Sequence, residues 1–138
     1  MSNGDCLFCK IIDGAVPAVK VLEDEASLAF MDIGPLAEGH VLLIPKTHAE
    51  TIDQLSPAES ASMLKNLPAL AAAVRAATAC EGLNILQNNG RVAHQVVMHV
   101  HFHLIPRKSG DKFHFNWPAG QYGAGRIEQL AAAIRQHL

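Results

Sequence analysis

The segment His99-Val100-His101-Phe102-His103 gathers three of the chain's eight histidines into five positions. In an extended strand alternate side chains share a face, so the imidazoles line one side while Val100, Phe102 and Leu104 take the other. At a rise of roughly 3.3 Å per residue, successive imidazoles stand about 7 Å apart. Burying such a row without partners costs on the order of 1–3 kcal/mol per ring, which points to chemistry rather than packing. Two chemistries fit. A His-x-His pair on a strand grips a catalytic zinc whose open position activates water. Alternatively, one imidazole attacks phosphorus while its neighbours orient it and balance the phosphate's charge. Neutral imidazole suits that task because its lone pair needs no prior deprotonation near pH 7.

A second group is Cys6-Leu7-Phe8-Cys9, with Cys80 left over as an odd third cysteine. In a reducing compartment a Cys-x-x-Cys pair serves as a metal or redox element rather than a structural disulfide. A redox motif of the thioredoxin type follows a strand, and the five residues before Cys6 leave no room for one. Cys80 reads as a small buried apolar residue near a helix end.

These groups need elements to hold them. Cys9 to Gly14 reads as a short helical turn stopped by glycine. Val19, Val21 and Ser27 to Met31 read as two short strands around the turn Glu23-Asp24-Glu25. His40 to Pro45 is continuously apolar after its histidine, which predicts a strand covered on both faces. Ser56-Pro57-Ala58-Glu59 is a helix start with a capping box and a proline at the first position. Met63, Leu64, Leu67, Ala71 and Val74 recur at helical spacing, so one helix is expected to about Ala77, kinked at Pro68. Strands follow at Gly82 to Asn88 and, as the longest, at Val96 to Pro106. A glycine- and aromatic-rich loop, Gly110 to Gly125, leads to an amphipathic helix carrying Ile127, Leu130, Ala131, Ile134 and Leu138. The expected fold is therefore α+β: a mainly antiparallel five-stranded sheet with one long central helix and a C-terminal helix.

Composition excludes several classes of function. A chain of 138 residues and 14.8 kDa, with 49% hydrophobic and 17% charged residues, is one globular domain spanning 1–138. A net charge of −2 offers no basic excess for a nucleic-acid partner. The longest nearly apolar run, Leu67 to Ala77, is broken by Arg75 and too short for a membrane span. The first residues lack the basic and apolar regions of a secretory signal, so a cytoplasmic protein is expected. Gly120 to Gly125 has the wrong spacing for a dinucleotide fingerprint and follows a loop.

The pattern His-hydrophobic-His-hydrophobic-His followed by two hydrophobic residues resembles the signature of the histidine triad (HIT) superfamily of nucleotide hydrolases and transferases. The likeness extends over Cys6-x-x-Cys9-Lys10-Ile11-Ile12, Phe30-Met31-Asp32-Ile33, Gly39 to His48, and Asn88-Asn89-Gly90 through Gln95, and is with the bacterial Hint-like branch. The resemblance implies an α+β HIT fold and a purine nucleotide substrate cleaved at its α-phosphate, a phosphoramidate or a dinucleoside polyphosphate. It makes His101 the nucleophile, flanked by His99 and by His103, which contacts the phosphate, with His40 in support. Asn88 and Gln95 would donate to phosphate or leaving-group oxygens. Asp32 would accept from the ribose hydroxyls, and Phe8, Ile11, Phe30 and Leu42 would form an apolar slot for the base. Cys6, Cys9, His48 and His99 would hold a structural Zn²⁺, four ligands filling its coordination sphere. No organic cofactor is implied, and the family's homodimer joins sheets edge to edge.

Each residue also has a plainer role open to it. The slot residues could be core, Asp32 could cap the turn before Gly34-Pro35, and Asn88 and Gln95 flank a glycine turn where they could serve the backbone. Two positions depart from the family pattern: His94 stands where glycine is usual, and Val96 where relatives carry a hydroxyl able to protonate a leaving group. His94 is then either a substitute proton donor or a solvated loop side chain. The competing functions are a zinc hydrolase using His99, His101 and His103 as ligands, and a nucleotide-binding scaffold with incidental hydrolysis.

Overall fold

The computed structural model describes residues 4–138. Five strands form one antiparallel sheet: β1 (Lys20–Glu23), β2 (Ser27–Met31), β3 (Val41–Pro45), β4 (Gly82–Gln87) and β5 (Phe102–Arg107), in the spatial order β1-β2-β3-β5-β4. A short helix, α1 (Leu7–Ile12), precedes the sheet, and α2 (Pro57–Leu64) and α3 (Leu67–Thr78) link β3 to β4. The last helix is α4 (Arg126–Arg135).

The period-two pattern of the central strands sorts side chains onto two layers. Ala29, Val41, Leu43 and Leu104 pack with Met63, Leu70 and Val74 of α2 and α3. Leu28, Phe30, Leu42 and Ile44 face the other way, onto Phe8 and Ile11 of α1. Every residue of β3 is buried, as its unbroken apolar run requires. Burial of each such Leu or Ile side chain stabilises the fold by about 1.5–3 kcal/mol.

Two expectations about the elements change. The single central helix is two helices, parted at Lys65 and Asn66. Both residues keep right-handed helical dihedrals, so the break lies in the hydrogen-bond ladder. Pro68 has no N–H to offer the Leu64 carbonyl and its ring crowds that group, which ends α2 one turn earlier. The Ser56–Glu59 capping box that starts α2 is present as read. The strand expected over Val96 to Pro106 begins only at Phe102. Before it, the Val100 N–H donates to the Ala49 carbonyl and the His99 N–H to Val97, outside any ladder. Of the histidine row, only His103 sits in a strand. The α4 helix forms as expected, yet none of its residues is buried and Ile134 is 61% exposed.

One glycine fixes the approach to β3. Gly39 has φ +87, and a Cβ there would collide with the Thr78 side chain at the end of α3. Only glycine allows that loop to lie against α3 and deliver His40 into the sheet's edge of the site.

Candidate active site

The α1 side of the sheet carries a cleft of about 420 Å³, a volume typical of small-molecule sites. Phe8, Ile11, Phe30 and Leu42 all line it, together with Asp32, His94, His101 and His103. The four apolar residues are each 6% exposed or less, so they are core and cleft floor at once. Val16, Pro17 and Ala18, in the turn after α1, complete the wall, and sequence periodicity gave no sign of them.

Although His99 and His101 precede the strand, the three triad side chains still fall on the α1 side. Phe8 meets both His99 and His101 edge-on, with centroids 5.9 and 5.2 Å away, and His101 and His103 stand 4.8 Å apart. Backbone groups set the proton on each ring. His101 Nδ1 lies 2.6 Å from the His99 carbonyl, which can only accept. The proton is therefore on Nδ1, and Nε2 keeps its lone pair. The Leu36 N–H donates to His40 Nδ1 at 3.1 Å, so His40 carries its proton on Nε2 and donates it to His103 Nδ1 at 2.9 Å. His103 is thereby left with an N–H at Nε2. The chain of donors fixes a nucleophilic nitrogen on one ring and a hydrogen-bond donor on its neighbour.

Burial keeps these rings neutral. Desolvation lowers His101 and His40 below the usual histidine range, and pushes His103 down to about 4 with help from His101 and His40. The Asp32 carboxylate acts in the opposite sense on all three. Asp32 lines the cleft with Oδ2 3.6 Å from His40 Nε2, while Oδ1 accepts from the Gly34 N–H at 2.8 Å. It both caps the turn and faces the site.

Gln95 sits in the loop before the triad, and Asn88 sits just past the end of β4. The Gln95 amide is buried and spent within the loop: Oε1 accepts from Gly90 N–H at 2.6 Å, and Nε2 donates to the carbonyls of Glu50 at 2.6 Å and Val97 at 3.2 Å. Asn88 is half-buried just past β4, whose last pair is Gln87 with Phe102; one further step in that register puts it opposite His101. Neither residue lines the cleft.

His99 turns away from the row. Its Nε2 lies 2.9 Å from the Pro45 carbonyl and so carries the proton, leaving the Nδ1 lone pair toward Cys6 Sγ at 3.5 Å, Cys9 Sγ at 3.7 Å and His48 Nδ1 at 3.3 Å. Burial pushes His99 down to about 4, which holds it neutral. The ligand atoms of Cys6, Cys9, His48 and His99 all lie within 4.8 Å of one another. Two sulfurs and two imidazole Nδ1 atoms converging in this way fit a tetrahedral Zn²⁺. His101 belongs to none of the ligand clusters among the described residues, so the row does not converge on a shared metal.

The HIT domain family matches residues 13–110. This chain belongs to that family. The HIT chain is 43% identical over 130 residues to an adenosine 5′-monophosphoramidase of Schizosaccharomyces pombe, covering 94% of this chain and 95% of the relative. A HIT-family crystal structure from Bacillus subtilis superposes with a TM-score of 0.93 at 39% identity, covering 97% of each chain. A zinc-bound histidine triad protein from Mycobacterium smegmatis matches with a TM-score of 0.74 at 36% identity, covering 96% of each chain. The antiparallel α+β architecture is the HIT fold these structures share. Cys6 and Cys9 lie outside the matched 13–110 segment, yet the fold brings them to His48 and His99 within it.

Proposed function

We propose that this HIT protein is a hydrolase of purine nucleotides with a substituted α-phosphate, acting through a covalent nucleotidyl-histidine on His101. The observation that carries the reading is the His101 ring: Nδ1 committed to the His99 carbonyl, Nε2 with its lone pair, in a cleft shared with His103. Nε2 attacks the α-phosphorus, the bond to the leaving group breaks, and water then cleaves the phosphorus–nitrogen bond to give a nucleoside monophosphate. The His103 N–H, fixed by His40, stabilises charge on the phosphoryl oxygens. Asp32 accepts from the ribose hydroxyls, and Phe8, Ile11, Phe30 and Leu42 receive the base. Asn88, one register step beyond β4 and opposite His101, donates to a phosphate or leaving-group oxygen, and Gln95 serves the same site by holding the loop from Gly90 to Val97. The phosphoramidase name of the yeast relative supports an amine as one leaving group.

Cys6, Cys9, His48 and His99 hold Zn²⁺, which ties α1 to the segment bearing His101 and takes no part in bond breaking. The chain works as a cytoplasmic homodimer; the outer edge of β4 and the uncovered α4 are the surfaces that support assembly. No helix among the described residues is long and apolar enough to cross a membrane.

Rapid-quench mass spectrometry with adenosine phosphoramidate tests the mechanism. An adduct of one nucleotidyl group on His101 is expected within the first turnover. His101→Asn should keep nucleotide binding and lose turnover by at least about 10³-fold, the scale set by removal of a covalent nucleophile. Undiminished turnover in that variant refutes nucleophilic catalysis.

A further inference from the structure

The four titratable groups in the cleft are Asp32, His94, His101 and His103. Three of them have assigned tasks in the reading above. His94 does not, and its placement is unusual. Its backbone is left-handed, with φ +67, one of two non-glycine residues at positive φ among the described residues. A short 3-10 turn, Arg91–Ala93, sets that conformation, with the His94 N–H donating to the Arg91 carbonyl. Gln95 locks both ends of the loop by accepting from Gly90 N–H while donating to Glu50 and Val97. The imidazole is exposed and makes no hydrogen bond or ion pair with the described residues. A left-handed histidine is tolerated more readily than most side chains, though glycine is easier still. The loop thus holds an uncommitted imidazole at the cleft's outer lip, beside Val96 and Val97, which have nothing to donate.

Resting on the proposed reaction at His101, we infer that His94 is the catalytic acid that protonates a basic amine leaving group. An alkylamide anion is too basic to depart unaided, so the nitrogen must gain a proton as its bond to phosphorus breaks. His103 and His40 are poorly placed to give one: the His40 proton is committed to His103 Nδ1, the His103 N–H serves the phosphoryl oxygens in the reading above, and burial disfavours the charged form of either ring. In the step, His101 Nε2 bonds to phosphorus and the phosphorus–nitrogen electron pair passes to the departing amine. The His94 imidazolium gives that nitrogen its proton, becomes neutral, and regains a proton from the solvent it faces.

The test uses His94→Gly in the full-length protein, because glycine suits φ +67 and leaves the loop's backbone bonds intact. Single-turnover formation of the His101 adduct is measured with two adenosine 5′-phosphoryl compounds. One carries an alkylamine; the other carries 4-nitrophenolate, which departs without a proton. We expect the variant to lose about 100-fold more rate on the alkylamide than on the nitrophenyl ester, and added imidazole to restore the alkylamide rate. Equal losses on both compounds, or loss on neither, overturn the assignment. Failure of the wild-type protein to form an adduct on His101 with the nitrophenyl ester overturns the underlying reaction instead, and is seen before the variant is used.

Discussion

Removal of the His40 side chain is the perturbation that most directly probes how the phosphate donor is held. His40 is 2% exposed and makes two short contacts, accepting from Leu36 N–H at 3.1 Å and donating to His103 Nδ1 at 2.9 Å. In His40→Ala both are lost and a cavity opens, so stability should fall by about 2–4 kcal/mol. The catalytic effect has two components of different size. Without His40, the proton of neutral His103 can sit on either nitrogen. If the two tautomers are comparable in energy, that halves the fraction with an N–H at Nε2, a factor of only about two. Loss of orientation is larger: removing a partner that aims a reactive imidazole typically costs 10–100-fold, about 1.4–2.7 kcal/mol of barrier. Orientation should therefore dominate. Rapid-quench measurement of adduct formation on adenosine phosphoramidate should show kcat down 10–100-fold with KM changed little, below the variant's melting transition. His40→Gln, able to accept and donate at similar positions, should recover part of the loss. A folded His40→Ala protein with undiminished kcat would refute the relay.

Other outcomes follow from the same geometry. Protein purified without chelator should carry about one zinc per chain by elemental analysis; Cys9→Ser should lose the metal and lower the melting temperature, while nucleotide still transfers to His101 at reduced rate. Gln95→Ala removes three hydrogen bonds from a buried amide and should cost about 2–4 kcal/mol in urea titration; an unchanged midpoint would mean the loop is held by other contacts. The Asp24 carboxylate accepts from Asn66, Ala26 and Ser27, with the Asn66 amide foremost in holding it well below the usual carboxylate range. Because its folded-state value is depressed, its contribution is complete above the ordinary unfolded value near 4 and fades as pH falls below that. Asp24→Ala should then cost about 2 kcal/mol at pH 6 and clearly less at pH 3, as urea midpoints at the two pH values will reveal.

The chemistry-bearing residues were legible because their roles depend on residue type and short spacing. A two-residue repeat of imidazoles and a Cys-x-x-Cys pair marked the residues able to do chemistry, and the family resemblance around them implied a phosphorus-directed nucleophile and a Cys₂His₂ metal set. The apolar runs likewise indicated the strands, since hydrophobic burial acts locally along each element. Two boundaries were misplaced for a common reason. The pattern of side chains marks which face is buried, whereas helix and strand ends depend on where backbone hydrogen bonds go. Leu64 lacks a donor from Pro68, and Val100 bonds to Ala49 instead of joining a ladder.

Sequence by itself determined which residues are capable of catalysis, since an imidazole or a thiol carries its chemistry wherever the chain puts it. Tertiary structure alone decided how each of them is held. His99, His101 and His103 are the same residue type in one short row, yet three different partners, the Pro45 carbonyl, the His99 carbonyl and His40, put the proton on Nε2 of His99 and His103 but on Nδ1 of His101. Two of those partners are backbone carbonyls, which no residue letter announces. The physical reason is that a ring nitrogen's reactivity is set by the group its other nitrogen meets, and that meeting exists only once the sheet has formed.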